Sequence, residues 1–427
     1  MGTRFVYSFI LWLTLPLALA RLAWRGFRQP GYWQHVPERF GWYQHKVEKP
    51  VIWLHAVSVG ETRAATRLLT LFRQQYPHHQ LLLTHGTPTG RAMGAQLYGA
   101  TVWQAYLPYD LGFAVRRFVR HYRPQVGMLM ETEIWPNLLR ACCQENVPAM
   151  LINARLSERS AQRYRYYLGG MLKTALASLC AVAAQSEADA QRLRELGAVD
   201  PQVIGNLKFD TCPPEEQRAQ AQYWRSEWKS KRLTCLAAST REGEEALLLD
   251  AWQHTCKDDA LLVIVPRHPQ RFDAVAQLLV QRGVRFQRRS DGLPVDKQTQ
   301  VWLGDSMGEM FAYYGVADVT LMGGSFLPFG GQNLIEAAAM GSPVLIGPHR
   351  WNFSEVSRTA IASGAAIAVQ DAAHLPGILS ELLADAPRRE RMGATALQYS
   401  HRHQGATERL MPIIGECLRQ EETSLRE

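Results

Sequence analysis

Three carboxylates follow apolar segments that have the composition of buried strands. Glu61 stands in HAVSVGET, while Glu131 and Glu133 stand in METEIWPN behind VGMLM. A carboxylate between a strand and a helix is held at the edge of a sheet, where a general base is useful. Glu61 could equally be a first-turn glutamate that stabilises its helix through the dipole. Glu131 and Glu133, two residues apart, point the same way, so one is expected to have a perturbed pKa; a helix-capping role for one of them is the alternative.

Two cations stand at comparable positions. Arg267 follows the apolar segment LLVIVP, so a strand delivers its guanidinium to the carboxyl edge, where bidentate contacts suit a phosphate. The alternative is a cation on a surface loop. Lys208, in GNLKFD, lies beside the predicted junction of two halves, where a fixed positive charge can meet a developing negative one. An ordinary surface lysine is the commoner explanation.

The segment from Val319 to Pro348, VTLMGGSFLPFGGQNLIEAAAMGSPVLIGP, predicts a strand, a glycine-rich turn, a helix over 333–340 and a second strand. This βαβ unit indicates a parallel sheet. Paired glycines before a helix let backbone N–H groups approach an anion, and Glu336 can accept hydrogen bonds from sugar hydroxyls. The unit favours a nucleotide-type ligand, although glycine pairs also cap ordinary turns.

The elements that carry these residues form a rhythm that occurs twice. Each half repeats an apolar strand, a turn rich in Gly, Pro, Thr or Ser, and a helical stretch, and the 427-residue length also favours two domains. We therefore predict an α/β fold of two Rossmann-like domains facing a central cleft. The predicted domains are 29–212 and 213–427, with a linker near 210–222 and a last helix that could pack back on the first domain.

An apolar N-terminal segment precedes both halves. Phe5 to Ala20 is a charge-free run of sixteen residues. A cleaved signal peptide and a buried helix are two explanations. Because Arg21, Arg25 and Arg28 follow the run, we favour a membrane anchor or monotopic helix over residues 1–28, with the rest of the chain in the cytoplasm.

Composition narrows the partners. The formal charge of +8 favours an acidic partner, and the basic helix FAVRRFVRHY is consistent with a membrane surface or a phosphorylated lipid as well as with a solvated face. No helix-turn-helix, zinc-finger or RNP signature supports nucleic acid as a partner.

The sequence also has no GxGxxG after the first strand of either half, no GxxxxGK[ST], no HExxH and no DxD, so we expect no NAD, P-loop or metal site. The seven cysteines include no CxxC pair, which fits a reducing compartment.

Taken together, the motifs are specific. HAVSVGET, TPTG, LPYD, METEIWPN, INARLSERS, GNLKFD, PRHP, GDSMGEM and GGSFLPFGGQNLIEAA occur in this order behind the apolar segment. In this respect the chain resembles the Kdo (3-deoxy-D-manno-octulosonic acid) transferases of lipopolysaccharide assembly. The resemblance extends from the N-terminal segment to about Leu410.

The resemblance implies a GT-B glycosyltransferase at the cytoplasmic face of the bacterial inner membrane, without a cofactor. It implies CMP-Kdo as donor and lipid IVA, a phosphorylated glycolipid, as acceptor. By motif, Glu61 matches the proton acceptor, and Glu131 and Lys208 match residues that stabilise the transition state. The positions that match the CMP-binding segments are Pro266, Arg267, His268, Met307, Gly308, Glu309, Asn333, Leu334, Ile335 and Glu336.

The chain departs from the family pattern at two places. Where the family commonly has GGHNPLE, residues 330–336 read GGQNLIE, and Arg241 stands where a histidine is frequent. Two other functions keep the same fold: a transferase that uses a UDP-sugar donor, and a membrane-anchored binding protein without activity.

Overall fold

The computed structural model describes residues 2–228, 232–255 and 260–424, which form two α/β units. The first unit contains the described residues up to Asp210 together with those from His403 onward, and the second contains those from Thr211 to Arg402. Each unit holds a seven-stranded sheet, and every strand pairing in the described residues is parallel. The predicted α/β class with two domains is thus confirmed.

The first sheet has the order β3-β2-β1-β4-β5-β6-β7. Its strands are β1 Val51–His55, β2 Gln80–His85, β3 Val102–Tyr106, β4 Val126–Met130, β5 Ala149–Ala154, β6 Ala181–Ala184 and β7 Gln202–Val203. The helices before the second unit are α1 Gly2–Arg28, α2 Val59–Ala64, α3 Thr66–Gln75, α4 Pro88–Tyr98, α5 Gly112–Tyr122, α6 Pro136–Gln144, α7 Glu158–Ala177 and α8 Glu187–Glu195.

The second sheet has the order β10-β11-β9-β8-β12-β13-β14. Its strands are β8 Thr234–Thr240, β9 Leu261–Pro266, β10 Phe286–Arg288, β11 Val301–Leu303, β12 Val319–Met322, β13 Val344–Ile346 and β14 Ala366–Ala368. The remaining helices are α9 Glu215–Glu227, α10 Glu244–Gln253, α11 Phe272–Gln281, α12 Met310–Val316, α13 Ile335–Ala339, α14 Ser354–Ala362, α15 Leu375–Ala384, α16 Ala386–His403 and α17 Ala406–Ser424.

Strand β1 shows why the central strands are mostly apolar. All five of its residues are buried, because helices cover both faces of the sheet. Trp53 packs edge-on against Phe118 of α5 on one face, with ring centroids 4.7 Å apart. Ile52 and Leu54 lie on the other face, in a core that also contains residues of α3 and α17.

The C-terminal helix α17 belongs to the first unit. The carboxylate of Asp210 accepts hydrogen bonds from the backbone N–H groups of Gly405 (2.7 Å), Ala406 (3.2 Å) and Thr407 (2.5 Å). It therefore satisfies donors at the helix start that have no partner within the helix. Leu410 and Ile414 of α17 are fully buried in the first unit's core.

Both sheets reverse their strand order at one place. In the first sheet the order turns between β1 and β4, and in the second between β8 and β12. Ligands of such sheets bind outside the carboxyl ends of the strands at this switch point. The loops after these four strands are therefore the places to look for a site.

The N-terminal apolar segment is part of α1, a helix of 27 residues. Among the described residues, its segment Arg4–Arg28 is the one stretch long and apolar enough to cross a membrane, with a mean hydropathy of 1.7.

Candidate active site

Glu61 lies at the switch point of the first sheet, on the helix that follows β1. Ser58 caps this helix: its hydroxyl accepts from the Glu61 N–H (3.3 Å) and donates to Glu61 Oε1 (2.7 Å). The Val57 N–H donates to Oε2 at 2.7 Å. The Ser-x-x-Glu spacing is that of a capping box, so the structural role proposed for Glu61 as a first-turn residue is present. The same bonds fix the direction of its carboxylate.

The environment of Glu61 changes its acidity. Burial raises the pKa of this carboxyl to about 7, and the negative charge of Glu131 acts in the same direction. The bonds from Ser58 and Val57 lower the pKa but do not offset these effects. A carboxyl with a pKa near neutral pH is suited to take a proton at that pH.

Glu131 follows β4, beside β1 in the sheet, in an uncommon backbone conformation. Its φ is +59°, a left-handed value that residues other than glycine seldom adopt. The buried carboxylate accepts from Arg155 Nε at 2.9 Å and from Lys208 Nζ at 2.7 Å. Such backbone conformations concentrate at functional sites, where surrounding structure holds them in place. The structure thus joins two of the predicted residues, Glu131 and Lys208, in one ion pair.

The loop that carries Lys208 is held by two asparagines. Asn206 Oδ1 accepts from the Lys208 N–H at 3.0 Å. Asn153, a fully buried residue with φ +49°, accepts from the Leu207 N–H at 3.0 Å. Asn153 and Arg155 both lie in the INARLSERS segment, yet sequence reasoning assigned a role to neither. The INARLSERS motif was the sequence signal that could have identified these two residues.

Glu133 has a different hydrogen-bond partner. Its Oε2 accepts from Trp135 Nε1 at 2.7 Å, and burial raises the pKa of its carboxyl, which confirms that one of the two neighbouring glutamates is perturbed. His55 Nε2 lies 4.0 Å from the same oxygen. Burial lowers the pKa of this histidine to about 3, so the contact is not an ion pair.

The N-terminus of α6 has a different cap from the one considered in the sequence. Asp110, which follows β3, accepts from the N–H groups of Asn137 (3.1 Å) and Leu138 (2.8 Å). The alternative explanation, that Glu131 or Glu133 caps this helix, is therefore wrong. Their side chains are engaged elsewhere, and Asp110 reaches the helix from a distant part of the chain.

In the second unit, a buried carboxylate shapes the glycine-rich loop at the switch point. Glu244, at the start of α10, has no exposed surface. It accepts from the N–H groups of Arg241 (2.8 Å), Gly324 (2.6 Å), Phe326 (3.0 Å) and Leu327 (3.3 Å). One carboxylate thus ties the loop after β12 to the loop after β8, a role that the sequence did not reveal.

Glycines are required where this loop passes β8. A Cβ on Gly323 would lie only 2.5 Å from the carbonyl oxygen of Ser239 and 2.6 Å from that of Ala238. Gly324 has φ +68°, in the left-handed region that favours glycine. The first glycine pair of the loop therefore serves close packing and a tight turn.

Positive charge gathers after β8 and β9. His268 Nε2 lies 3.2 Å from Arg241 Nη1. Burial lowers the pKa of His268, and the charges of Arg241, Arg267 and Arg271 lower it further, so all three guanidinium groups lie near this ring. Guanidinium groups in such a cluster can attract a phosphate, and the Arg271 guanidinium also donates to Glu245 Oε2 at 2.8 Å. Pro266 is a buried residue of β9 and places Arg267 at the strand end.

The residues after β12 divide between the core and the surface. Asn333 Oδ1 accepts from the Ile335 N–H at 3.1 Å, while Leu334 and Ile335 are buried in the unit's interior. Of Leu334 and Ile335, only the backbone can therefore face a ligand. Glu336 is half-buried, and its charge raises the pKa of the buried Tyr314 hydroxyl whereas that of Arg267 lowers it. Glu336 and Arg267 consequently lie near the same hydroxyl group.

The segment after β11 is tied to α9. Gly308, with φ +87°, accepts from Gln217 Nε2 through its carbonyl at 2.7 Å. The Glu309 carboxylate accepts from Gln220 Nε2 (2.9 Å) and Arg289 Nη2 (3.0 Å), and Met307 is 53% exposed. The predicted donor-binding segments thus follow β9, β11 and β12, so that all lie at the carboxyl edge of one parallel sheet.

Comparison with known proteins places these residues in a family. Residues 34–211 match the family model described as 3-deoxy-D-manno-octulosonic-acid transferase (kdotransferase). The chain is 41% identical to the 3-deoxy-D-manno-octulosonic acid transferase of Bordetella pertussis, over 97% of this chain and 99% of that protein. It is 36% identical to the enzyme of the same name from Haemophilus influenzae, over 96% and 98% of the two chains.

A solved structure supports the fold. The glycosyltransferase from Rickettsia africae, at 14% identity, superposes with a TM-score of 0.55 and covers 87% of this chain and 99% of that one. Likeness at this identity shows the fold alone, the two-domain α/β architecture of GT-B proteins. The identities over nearly the full length show more: the chain belongs to the 3-deoxy-D-manno-octulosonic acid transferase family and is a glycosyltransferase.

Proposed function

We propose that the protein transfers Kdo from CMP-Kdo to lipid IVA, with Glu61 as the general base. The observation that carries the proposal is the buried Glu61 carboxyl, whose pKa is about 7 and which lies beside the Glu131–Lys208 ion pair. The family supports a Kdo transfer and a lipid acceptor. CMP-Kdo, lipid IVA and the residue roles are our proposal.

In the proposed reaction, the acceptor hydroxyl attacks the anomeric carbon of Kdo. The new bond joins the acceptor oxygen to that carbon, the bond to the CMP phosphate oxygen breaks, and CMP leaves with the bonding electrons from the opposite face. Glu61 receives the hydroxyl proton, which requires its ionised form. Its fixed carboxylate oxygens suit this task, because the bonds from Ser58 and Val57 hold them in one orientation.

The other proposed site residues stabilise negative charge or bind the donor. Lys208, oriented by Glu131, supplies a fixed cation where negative charge develops in the transition state. In the second unit, Arg267 and the neighbouring guanidinium groups bind the CMP phosphate, and Glu336 accepts hydrogen bonds from the ribose. Met307–Glu309 and Asn333–Ile335 complete the donor site through backbone groups and the exposed Met307 side chain.

We place the enzyme at the cytoplasmic face of the inner membrane. The long apolar helix α1 and the arginines that follow its apolar run support this location. A lipid acceptor remains in the membrane, so an enzyme that acts on it gains from being held there.

The decisive experiment compares Glu61→Gln with Glu133→Gln in transfer from CMP-Kdo to lipid IVA, followed by mass spectrometry. We expect Glu61→Gln to lose transfer while CMP binding, measured by calorimetry, stays near the wild-type value. Glu133→Gln removes a neighbouring carboxylate as a matched control and should retain transfer. Wild-type turnover in Glu61→Gln would exclude this residue as the base.

The donor is tested separately. CMP should bind at least tenfold more tightly than UDP, and Glu336→Ala should raise the KM for CMP-Kdo. Equal binding of CMP and UDP would favour a UDP-sugar donor, and an unchanged KM would remove Glu336 from the ribose site.

A further inference from the structure

Helix α1 has one packed face along its whole length. The residues that are half-buried or buried recur every three or four positions from the first described side chain to the last turn, namely Arg4, Tyr7, Ser8, Leu11, Leu15, Ala18, Leu22, Ala23, Arg25 and Gly26. This spacing defines one side of an α-helix. The opposite side is exposed and apolar, and it includes Phe5, Phe9, Leu13, Leu17 and Phe27.

The first turns of α1 are attached to the first unit by polar contacts. The Tyr7 hydroxyl donates to Asp110 Oδ2 at 2.9 Å, and Ser8 Oγ lies 3.3 Å from Asn137 Oδ1. Trp12 packs against Phe113 of α5, with ring centroids 5.7 Å apart. These partners are more than a hundred residues away in the chain, so the contacts are tertiary.

The last turn of α1 is attached as well. Arg25 Nη1 lies 3.4 Å from the Tyr32 hydroxyl, and the Trp33 ring fills the space beside Gly26, where a Cβ would lie 2.2 Å from Nε1. The next residues reach α4, since a Cβ on Gly31 would lie 3.3 Å from Pro88 Cβ. Both ends of a helix about 40 Å long are thus held to one unit.

This attachment is incompatible with a helix that crosses a bilayer. A spanning helix needs about 20 residues within about 30 Å of hydrocarbon. If α1 crossed, the polar surface that packs along it, including Asp110 and Asn137, would have to enter the hydrocarbon too, at a high free-energy cost. The helix can instead lie parallel to the membrane, with its exposed face in the boundary between headgroups and acyl chains.

The surface beside α1 has the composition of a membrane boundary. Trp42 is 60% exposed, and the Arg117 guanidinium lies 4.3 Å from its ring centroid and 5.4 Å from that of Phe113. Arg28 lies 4.5 Å from the Trp24 ring in the same way. Exposed aromatic rings with arginines above them suit anionic headgroups over an apolar layer. Arg116 and Arg120 of α5 both pair with Glu145, so among these three arginines Arg117 is the one directed to this surface.

We propose that α1 is an in-plane membrane element that, with Trp42 and Phe113, seats the first unit on an anionic bilayer and does not cross it. This rests on the membrane association proposed above and specifies its form. Asp110 and Asn137, which contact α1, follow β3 and β4, and Pro88, which lies beside Gly31, follows β2. Helix α1 and the residues after it therefore contact the carboxyl edge of the sheet that also carries Glu61. The seated surface and the proposed base therefore lie at one edge of the unit, so that a lipid headgroup can approach Glu61 while its acyl chains stay in the bilayer.

The side of the membrane on which the N-terminus lies distinguishes an in-plane α1 from an α1 that crosses the bilayer. A short cysteine-containing tag is placed before Met1 of the full chain, and a control chain carries the same tag after Glu427. An impermeant maleimide is then applied to Gram-negative cells with a permeabilised outer membrane and to inverted inner-membrane vesicles. We expect both tags to react only in the vesicles. Reaction of the N-terminal tag in the cells would show a crossing helix and overturn the proposal, and recovery of the chain in the soluble fraction would refute membrane association itself.

A second measurement uses residues outside α1. Trp42→Asp combined with Phe113→Asp should weaken binding to vesicles of phosphatidylethanolamine and phosphatidylglycerol by about tenfold or more. Val199→Asp, at a 67% exposed position on the amino side of β7, should bind as the wild type does. Unchanged binding of the double variant would overturn the proposal, since a crossing helix alone would not sense these positions. If the double variant does not fold by circular dichroism, Trp42→Ser gives the same comparison.

Discussion

Replacing the proposed base should stabilise the folded protein at high pH. Glu61 is only 8% exposed, and burial together with Glu131 raises its pKa from 4.5 to about 7. The folded state therefore binds the Glu61 proton more tightly than the unfolded state does. Stability from this group is complete below pH 4.5 and is lost as the pH rises through about 7. In Glu61→Gln the titrating carboxyl is absent, so this loss of stability with rising pH does not occur.

The size of the effect follows from the pKa values. At about 1.36 kcal/mol per pKa unit, a rise from 4.5 to about 7 corresponds to about 3 kcal/mol. Glu61→Gln and the wild type should thus differ by a constant amount below pH 4.5, and the variant should gain about 3 kcal/mol relative to the wild type by about pH 8. For a unit of this size, about 3 kcal/mol corresponds to a difference of about 6–12 °C in Tm.

Hydrogen exchange measures this in the full chain. Exchange of peptides from β1 and β4 during urea unfolding at about pH 5 and about pH 8 reports the first unit separately from the second. Glu158→Gln, which removes an exposed carboxylate from the first turn of α7, is the matched control and should follow the wild type. The expected stabilisation is refuted if Glu61→Gln and the wild type lose stability in parallel between these pH values.

Three further predictions concern catalysis and the donor loop. With Glu61 as base, kcat/KM should rise with pH through about 7 and then level off. In Glu131→Gln this rise should occur at lower pH, because a charge that raises the Glu61 pKa is gone. A pH profile that the substitution leaves unchanged would contradict this. Lys208→Met should lower kcat about a hundredfold with little change in donor KM, and steady-state kinetics with a normal kcat would exclude its role. Glu244→Ala should destabilise the second unit by about 3 kcal/mol in urea unfolding, because four backbone N–H groups lose their acceptor. The control Glu242→Ala, at an exposed neighbouring position, should change the free energy of unfolding by less than about 0.5 kcal/mol.

The sequence predicted the fold well because its central strands are unusually clear. Segments such as VIWLH and LLVIVP are buried on both faces and are therefore mostly apolar. The short edge strands gave no such signal: β7 is two exposed residues, Gln202–Val203. The helix predicted over 333–340 is shorter, Ile335–Ala339, because the Asn333 side chain accepts from the Ile335 N–H and begins the helix later.

The sequence drew attention to Glu131 and Arg267 because each directly follows an apolar strand, and to Glu61 because it begins the helix after one. Glu244 was missed because three of its four partners lie about eighty residues further along the chain, and Asp110 because it caps a helix that begins 26 residues later. Contacts of this kind depend on which strands become neighbours, and local sequence does not specify that order.

One departure from the family pattern has a structural explanation. Leu334 stands where a proline is common, and its side chain is 1% exposed within the interior of the second unit. The position therefore needs an apolar side chain of suitable size, and leucine provides it. Gln332 lies against the glycine loop, with its Nε2 3.1 Å from where a Cβ on Gly324 would be. A longer side chain at 324 would disturb this contact.

The structural and catalytic explanations of Glu61 describe one arrangement. A carboxylate that only capped α2 would be served best by an exposed position, where the helix dipole lowers its pKa. Here the capping bonds do lower the pKa of Glu61, but burial and Glu131 raise it by more. The cap therefore orients a carboxyl whose pKa its surroundings hold near neutral pH. Glu131 has a left-handed backbone conformation, and its ion pairs with Arg155 and Lys208 fix the position of its carboxylate. The ion pair between Glu131 and Lys208 therefore fixes two charged groups near the proposed base: a cation, and a carboxylate that adds to the effect of burial on the Glu61 pKa.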